Sequence, residues 1–550
     1  MKILQFMATE TDVSKHRILL LAAVSGVANS LLLIILNEAA TELKDKTVEA
    51  QLFAQYLLAF VLFIFAQRAS QREAVTAVEH ALQKVRVRIA DKVRRCELRT
   101  IEELGDISSY SALTQGANTI AQSAMYLVTG IESLLVLIFA SLYLLWLSPL
   151  SFLVAIFLIT LTISLLVRHY QKTFRELTEA SRKEGLFFER FISILKGFKQ
   201  LKTSHRKSDD LFRHLQQLAM ETSELKGRSN VRLLEDILLS NVAFYLLLLV
   251  VVFLLPNLFA EQEENLFKII ATILFMMEPV SIISAALPNV SKTNVAITGM
   301  YRLEARLDAG LHGENALTLA DHNPLADFSS IQLQATSFSY TNAQQQPLFN
   351  AGPFTVHCQR GEMIFITGGN GSGKSTFLKL LAGLYPTQTG AIQVDGKRLS
   401  SHDYPAYREL FAVVFHDFHL FDRLYGLEGV TDTEINNWLE KLGLSQKTRY
   451  EQGSFTHTDL STGHRKRLAF LVAMLEQRPI LILDELAADQ DPLFRRQFYE
   501  TILPELQAQG KTIVAVTHDE HYFHLADRVL QMDGGQLVGQ TAGQTVGQMA

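Results

Sequence analysis

Cysteine is nearly absent from this 550-residue chain, which contains only Cys96 and Cys358. Two cysteines exclude a disulfide framework and any metal site built on four thiolates. Charged residues are also scarce, at 19% of the chain, below the roughly 25% usual for soluble proteins. The 51 basic and 56 acidic residues give a net charge of −5, so the chain lacks the basic excess expected of a nucleic-acid-binding protein.

Apolar residues make up 48% of the chain, and the mean hydropathy is +0.15. This composition excludes a disordered chain. A helix needs about 20 mainly apolar residues to cross the hydrocarbon core of a membrane. We therefore predict six spans, the second of which needs flanking residues or tilt. The apolar segments are residues 18–36, 52–66, 121–147, 150–167, 237–255 and 269–287.

Basic residues near the ends of these segments predict their orientation. Arg68 and Arg72 follow the second segment. Five basic residues follow the fourth segment: Arg168, Lys172, Arg175, Arg182 and Lys183. We therefore expect both termini and the long loops 67–120 and 168–236 to lie in the cytoplasm. Loops of this length rarely lack a core of their own, so we predict that they are helical extensions. The expected turns lie at 105–110 and near 183–199.

The sequence changes character after residue 287, and we predict that Pro288 ends the last span. The predicted boundaries are a transmembrane domain at 1–307, a linker at 308–330, an α/β domain at 331–538 and a frayed tail at 539–550. Short β-branched runs alternate with helical stretches in the α/β domain, for example at 363–367, 480–483 and 512–517. That alternation predicts a mostly parallel sheet.

Residues 368–375 read Gly-Gly-Asn-Gly-Ser-Gly-Lys-Ser between a predicted strand and a predicted helix. This pattern predicts a phosphate-binding loop, in which backbone N–H groups and a helix N-terminus surround a phosphate. Lys374 is expected to reach the outer phosphates of a nucleotide, and the Ser375 hydroxyl to bind Mg²⁺. The candidate nucleotide-binding residues here are Gly368, Asn370, Gly371, Ser372, Gly373, Lys374, Ser375 and Thr376.

Two acids, Asp484 and Glu485, follow the apolar run 480–483. Asp484 is placed to hold Mg²⁺ through water, and Glu485 to activate the water that attacks the phosphate. Two acids after an apolar run more often begin a helix, but the phosphate-binding loop upstream favours the catalytic interpretation. We therefore predict a nucleotide hydrolase that uses Mg²⁺.

Residues 460–468, Leu-Ser-Thr-Gly-His-Arg-Lys-Arg-Leu, begin 24 residues before Asp484. They resemble the signature loop of ABC transporters, usually Leu-Ser-Gly-Gly-Gln, at that family's usual spacing. The resemblance implies that Ser461 and Gly463 bind the nucleotide held by a second chain. It also implies that three further residues contact the nucleotide. His518 would be the switch histidine at the γ-phosphate, Tyr340 would stack on the adenine ring, and Asp489 would be a further nucleotide contact.

The order of spans, long helical loops and one nucleotide-binding domain resembles an ABC half-exporter. Runs at 415–422, 487–492 and 517–523 are similar to the bacterial cyclic-peptide and pyoverdine-type siderophore exporters. The resemblance implies an ATP-driven exporter of such peptides in the bacterial cytoplasmic membrane, in contact with lipid. One phosphate-binding loop and one signature per chain imply a homodimer. A lipid or lipid-linked flippase, and a membrane ATP-dependent sensor that binds peptide without moving it, remain alternatives.

The sequence departs from the family pattern at His416, which stands where the family has a glutamine that binds Mg²⁺. We retain His416 as a candidate metal ligand beside Ser375 and Asp484. Two acids lie within predicted spans, where a charge costs roughly 2.5 kcal/mol or more unless it meets water or a partner. Glu278 is interpreted as a polar position in the translocation cavity, or else as a structural residue. For Glu132, which is nearer the cytoplasmic half, a functional role and a merely wetted helix face stay equally open.

Overall fold

The structure is a computed structural model that describes residues 5–6, 9–11, 15–42, 50–104, 114, 116–254, 265–311, 323–342, 344, 346–427 and 429–542. The chain forms two compact units. The first comprises Met1–Arg94 and Thr100–Ala309, and the second comprises Arg95–Arg99 and Gly310–Ala550. Each unit is described by itself.

The first unit is helical. Within it, α4 packs along α8, α5 packs along α7, and α1 packs against α4. The helices are α1 (Lys15–Glu42), α2 (Ala50–Arg95), α3 (Leu98–Leu104), α4 (Ala117–Leu147), α5 (Pro149–Lys196), α6 (Phe198–Lys202), α7 (His205–Leu249) and α8 (Leu266–Ala309).

The described part of each predicted apolar segment lies in a helix. Five helical stretches are long and apolar enough to cross a membrane. The sixth segment forms the start of α5, where the apolar stretch Pro149–Leu165 is shorter than these five. The long predicted extensions are helical as expected, since α2, α5 and α7 contain 46, 48 and 45 residues.

The second predicted turn lies slightly later in the chain than expected. Helix α5 continues through most of 183–199 and ends at Lys196, and α7 begins after Ser204, whose side chain accepts a hydrogen bond from the Lys207 N–H. The other predicted turn, at 105–110, lies outside the described residues. Pro288 was expected to end the last span, and the apolar stretch of α8 extends over Leu266–Ala286. The helix itself continues through Pro288 to Ala309, although a proline removes one backbone N–H from a helix.

The second unit contains the predicted parallel sheet and a separate antiparallel sheet that the sequence did not predict. The six-stranded sheet has the order β12-β11-β3-β10-β9-β6, and the four-stranded sheet has the order β2-β1-β4-β5. The strands that matter below are β1 (Ser330–Thr341), β2 (Pro347–Gln359), β3 (Met363–Gly368), β4 (Thr389–Val394), β5 (Lys397–Arg398), β6 (Phe411–Val414), β9 (Ile480–Asp484), β10 (Thr512–Val516), β11 (Arg528–Asp533) and β12 (Gln536–Ala542).

Strands β3, β10 and β9 are parallel neighbours whose carboxyl ends meet at one edge of the sheet. Val516 of β10 pairs with Ile366 of β3 on one side and with Asp484 of β9 on the other. Alternate residues of these strands enter two apolar cores, one on each face of the sheet. Ligands of open α/β sheets bind outside the carboxyl ends of the strands, so this edge is where a site is expected.

The C-terminal stretch expected to be a frayed tail begins within a strand. Strand β12 extends to Ala542 and pairs antiparallel with β11. Its backbone hydrogen bonds to β11 hold residues 539–542 in the sheet although their sequence lacks apolar periodicity. The rest of the predicted tail, 543–550, lies outside the described residues.

Candidate nucleotide-binding site

The glycine-rich loop connects the end of β3 to α9 (Lys374–Leu381). Gly373 precedes the helix in the left-handed region, at φ 96°. A Cβ atom on Gly368 would lie 2.2 Å from the Met532 carbonyl oxygen, so only glycine fits where the loop leaves the sheet. The loop is therefore held against β11 and wrapped around the first turn of α9, as the sequence predicted.

Lys374 is the first residue of α9 and is 7% exposed. Its Nζ donates hydrogen bonds to the carbonyl oxygens of Gly368 (2.8 Å) and Gly369 (3.1 Å). The same Nζ lies 4.0 Å from Oε1 of Glu485. The ammonium group is thus held inside the loop, where it can face the phosphates of a bound nucleotide.

Ser375 and Asp484 meet although they lie 109 residues apart: the Ser375 hydroxyl donates to Oδ2 of Asp484 at 2.9 Å. Asp484 is 3% exposed, and its burial raises the pKa of the carboxyl above the ordinary value, against the opposing effect of the Ser375 hydrogen bond. His416 also acts on this carboxyl and lowers its pKa, in opposition to burial. Ser375 and Asp484 therefore meet at the end of β9, and His416 lies near them.

Glu485 and His518 follow neighbouring strands, and Nε2 of His518 lies 3.3 Å from Oε1 of Glu485. Glu485 has a φ of 53°, a left-handed conformation that a residue with a side chain adopts at a cost of order 1–3 kcal/mol. Its backbone N–H donates to the Val516 carbonyl at 3.3 Å. The turn after β9 thus directs the Glu485 side chain towards both His518 and Lys374.

Lys466 completes this arrangement, and the sequence analysis gave it no role. It is 2% exposed; its Nζ donates to the Glu485 carbonyl at 2.7 Å and lies 2.7 Å from Oδ2 of Asp489. The Lys466 hydrogen bond holds the pKa of Asp489 below its ordinary value. A signal was present, because Lys466 shares a helix face with the buried Ala469, Phe470 and Ala473, where a charge needs a partner.

The signature loop leads into the helix α12 (Thr462–Leu475). The Ser461 hydroxyl lies 2.9 Å from Nδ1 of His464. A Cβ atom on Gly463 would lie 2.8 Å from the Asp489 carbonyl oxygen, and the Gln490 amide donates to the Gly463 carbonyl at 3.0 Å. Among the described residues, no hydrogen bond joins Ser461 or Gly463 to the phosphate-binding loop. The signature therefore packs against the loop that contains Asp489.

Tyr340 lies at the end of β1 and is joined to the start of α9. Its hydroxyl donates to the Tyr385 hydroxyl at 3.1 Å and lies 3.3 Å from Oγ1 of Thr376. Phe349, which the sequence analysis did not select, packs beside Tyr340 at a ring distance of 6.4 Å and lies 3.3 Å from where a Cβ of Gly373 would be. Two aromatic rings thus flank the phosphate-binding loop.

The two acids of the membrane unit have different surroundings. Glu132 in α4 is 6% exposed, and its Oε1 has no hydrogen-bond partner among the described residues. Glu278 in α8 is exposed on the surface of the single chain. The structure thus places the two acids at opposite extremes of burial and brings neither to the nucleotide site.

A phosphate-binding loop with a buried lysine, a serine–aspartate pair and a glutamate–histidine pair at adjacent strand ends defines a P-loop nucleotide hydrolase. Comparison with known proteins narrows this class. The model of the ABC transporter family matches residues 352–488. The ATP-binding protein SyrD of Pseudomonas syringae pv. syringae is 30% identical over 543 residues, which cover 97% of this chain and 95% of SyrD.

Two further comparisons cover different parts of the chain. The energy-coupling factor transporter ATP-binding protein EcfA1 of Latilactobacillus sakei subsp. sakei (strain 23K) is 32% identical over 38% of this chain and 77% of its own length. The solved structure of a bacterial Atm1-family ABC exporter with ATP bound has a TM-score of 0.73 at 16% identity, with 97% of this chain and 95% of that chain covered. That likeness shows the fold of the whole chain.

The chain belongs to the ABC transporter family, and it has the half-exporter architecture of a helical transmembrane domain joined to one nucleotide-binding domain. The predicted fold class and family resemblance are confirmed. The protein binds ATP and couples its hydrolysis to transport. It is embedded in a membrane, with its ATPase domain in the cytoplasm.

Proposed function

We propose that this protein is a homodimeric exporter that moves a cyclic-peptide or siderophore-type peptide across the bacterial cytoplasmic membrane. The observation that carries the proposal is full-length similarity to SyrD together with a signature loop that makes no hydrogen bond to the phosphate-binding loop among the described residues. The first supports an ATP-binding protein with the same organisation along its full length, and the runs 415–422, 487–492 and 517–523 support a peptide exporter like those they resemble. The second supports a site completed by a second copy.

The donor set at the end of β9 fits Mg²⁺, because a serine hydroxyl and a buried carboxylate supply the hard oxygen ligands that this ion prefers. Ser375 and Asp484 would hold the ion, with His416 beside them, and the ion would supply charge neutralisation at the phosphates. Lys374 would bind the outer phosphates. Glu485 would accept the proton of the attacking water, and His518 would position the γ-phosphate and Glu485 relative to each other.

The homodimer has a direct test in mixed dimers. If Ser461 acts on the partner's nucleotide, a dimer with Lys374→Ala in one chain and Ser461→Arg in the other keeps one intact site. Its ATPase activity should then lie well above that of dimers with both sites broken. Equal loss in the two preparations would contradict two sites that are shared between chains and work independently.

The substrate class is tested in cells of the source bacterium that express either the wild-type protein or Glu485→Gln in place of the native copy. Mass spectrometry of culture medium and cell extracts should find peptidic products in the medium of wild-type cells and retained inside Glu485→Gln cells. If lipids of the outer leaflet change instead, and peptides do not, the flippase alternative replaces our proposal. If neither changes, the sensor alternative does.

A further inference from the structure

The first unit contains a cavity of about 660 Å³ between α5, α7 and α8. This volume is within the range of roughly 300–1,000 Å³ typical of ligand pockets. Its charged lining consists of four cations and one carboxylate: Lys226, Lys292, Arg302, Arg306 and Glu184. The cavity is therefore strongly basic in a protein whose net charge is −5.

Among the described residues, one of the four cations has an ion-pair partner. Nζ of Lys226 lies 2.7 Å from Oε1 of Glu184. Lys292, Arg302 and Arg306 make no ion pair with any described residue, although Arg residues readily form paired hydrogen bonds with carboxylates. Their spacing along α8 places all three on the side of the helix that faces the cavity.

On the other side of the same helix, the two acids near its C-terminal end are paired. Glu304 is 7% exposed and receives hydrogen bonds from Arg88 (2.6 Å) and Lys92 (2.8 Å). Lys92 also lies 2.6 Å from Asp308. The end of α8 thus pairs its acids with α2, and its three cations are exposed on the cavity side without a counter-charge in the described part of the chain.

The cavity wall is amphipathic. Phe174, Leu177 and Leu303 provide apolar surface, and Ser181 and Asn230 provide hydrogen-bonding groups. A small inorganic anion would leave the apolar wall uncovered. An organic molecule that combines acidic groups with apolar side chains would match both kinds of surface.

The position of the cations argues against lipid head groups as their partners. The apolar span of α8 ends at Ala286, and Arg302 lies 16 residues further along the helix. At a rise of 1.5 Å per residue this is about 24 Å. The head-group layer extends only about 5–8 Å beyond the hydrocarbon core, so a lipid bound in the bilayer does not reach Arg302 or Arg306.

We propose that this cavity binds the transported substrate before export, and that Lys292, Arg302 and Arg306 select substrates with a net negative charge. The ligand class is an acidic, amphipathic peptide. This inference rests on the proposed function and deepens it, because cyclic-peptide export alone sets no charge preference.

The test uses the full-length homodimer in nanodiscs of uncharged phosphatidylcholine. Two cyclic peptides with an uncharged fluorescent label serve as probes; they differ only in carrying Asp or Lys at the same positions. Fluorescence polarisation should show that the acidic peptide binds about tenfold more tightly than the basic one. The preference should weaken as salt rises, because salt screens charges at the mouth of an open cavity.

Arg302→Glu with Arg306→Glu should remove or invert the preference, while the matched double change Arg206→Glu with Lys207→Glu should leave it intact. Arg206 and Lys207 are exposed on α7 and do not line the cavity. Replacing both cavity arginines by lysine should keep most of the preference, since the charge is retained.

The inference is overturned if wild type binds the two peptides equally, or if the control double variant loses the preference as the cavity variant does. It is also overturned if the cavity variant dissociates into monomers in native mass spectrometry, since the cations would then bind the second copy. ATP-dependent uptake into inside-out vesicles distinguishes failure of this inference from failure of the proposed function. Charge-selective binding without uptake would contradict the proposed export but not the charge selection by the cavity. Uptake without charge selection would contradict the cavity assignment but not export.

Discussion

The two units of the chain differ in how the cations at their candidate sites are neutralised. In the ATPase unit, Lys374 is held by two carbonyl oxygens and Lys466 by a carbonyl and the Asp489 carboxylate. In the membrane unit, Arg302 and Arg306 face a cavity without a counter-charge among the described residues. The comparison indicates that the ATPase unit positions its own catalytic groups in advance, whereas these two exposed arginines of the membrane unit are open to the substrate that we propose.

The largest effect is expected from Glu485→Gln. Removal of the group that accepts a proton from water should lower ATPase activity by about 10²–10⁴-fold, while ATP binding is retained because Lys374 and the loop are unchanged. Steady-state phosphate release and equilibrium nucleotide binding measure the two properties. Lys374→Ala is the contrasting variant and should lose both, and ATPase activity near the wild-type level in Glu485→Gln would remove Glu485 from the catalytic role.

A smaller effect is expected at Lys466, which acts through Glu485. Lys466→Met keeps the length of the side chain but removes the hydrogen bonds to the Glu485 carbonyl and Asp489. Hydrogen bonds to charged groups are worth about 1.5–3 kcal/mol, so kcat for ATP should fall about tenfold or more while KM changes little. Lys397→Met, at an exposed lysine of β5, should leave both constants unchanged.

Lys466→Arg should recover part of the lost kcat, because it restores the charge in a different shape. An unchanged kcat in Lys466→Met would show that the turn after β9 holds Glu485 without help. The position of Glu485 would then be determined by the backbone conformation of that turn alone.

The smallest effect is expected at the paired side of α8. Burial opposes the charge of Glu304, but the hydrogen bonds from Arg88 and Lys92 hold its pKa below the ordinary value of 4.5. A carboxyl with a lowered pKa in the folded state stabilises the protein above pH 4.5, and this contribution is lost as the pH falls through the folded-state pKa. Glu304→Gln should therefore lower the apparent Tm by about 2 °C at pH 7.

Thermal unfolding in detergent measures this difference as a function of pH. The gap between wild type and Glu304→Gln should be constant from pH 7 to pH 5 and should shrink below pH 4.5. Glu179→Gln breaks an exposed pair with Arg182 and should leave the Tm unchanged, since exposed pairs contribute little. A gap that widens in acid would contradict the ionised state of Glu304.

Short sequence patterns predicted the parts of the fold that are determined by residues adjacent in the sequence. The run of glycines before Lys374 and the apolar run before Asp484 placed the loop and the acids correctly, because each is a strand followed by a specific turn. The continuity of the helix through Pro288 was not predicted, since a proline lacks the N–H of a helical hydrogen bond and usually breaks or bends a helix. The antiparallel sheet was missed because its pairs, such as Ile331 with Val394, are distant in sequence.

The same reason explains which site residues were missed. Lys466 is separated by 19 residues from the Glu485 carbonyl that it binds, and no periodicity predicts that contact. The cavity is lined by helices that are far apart in sequence, so the spacing of Lys292, Arg302 and Arg306 along one helix did not predict it. The residues of the phosphate-binding loop were found because a motif concentrates them in one short segment.

The most direct measurement records ATP hydrolysis and accumulation of the acidic labelled peptide in the same inside-out vesicles. Our account predicts uptake that requires ATP, rises in proportion to phosphate release and is absent in vesicles that contain Glu485→Gln. Peptide-dependent changes in ATP hydrolysis without any accumulation would contradict it and identify the protein as a sensor rather than an exporter.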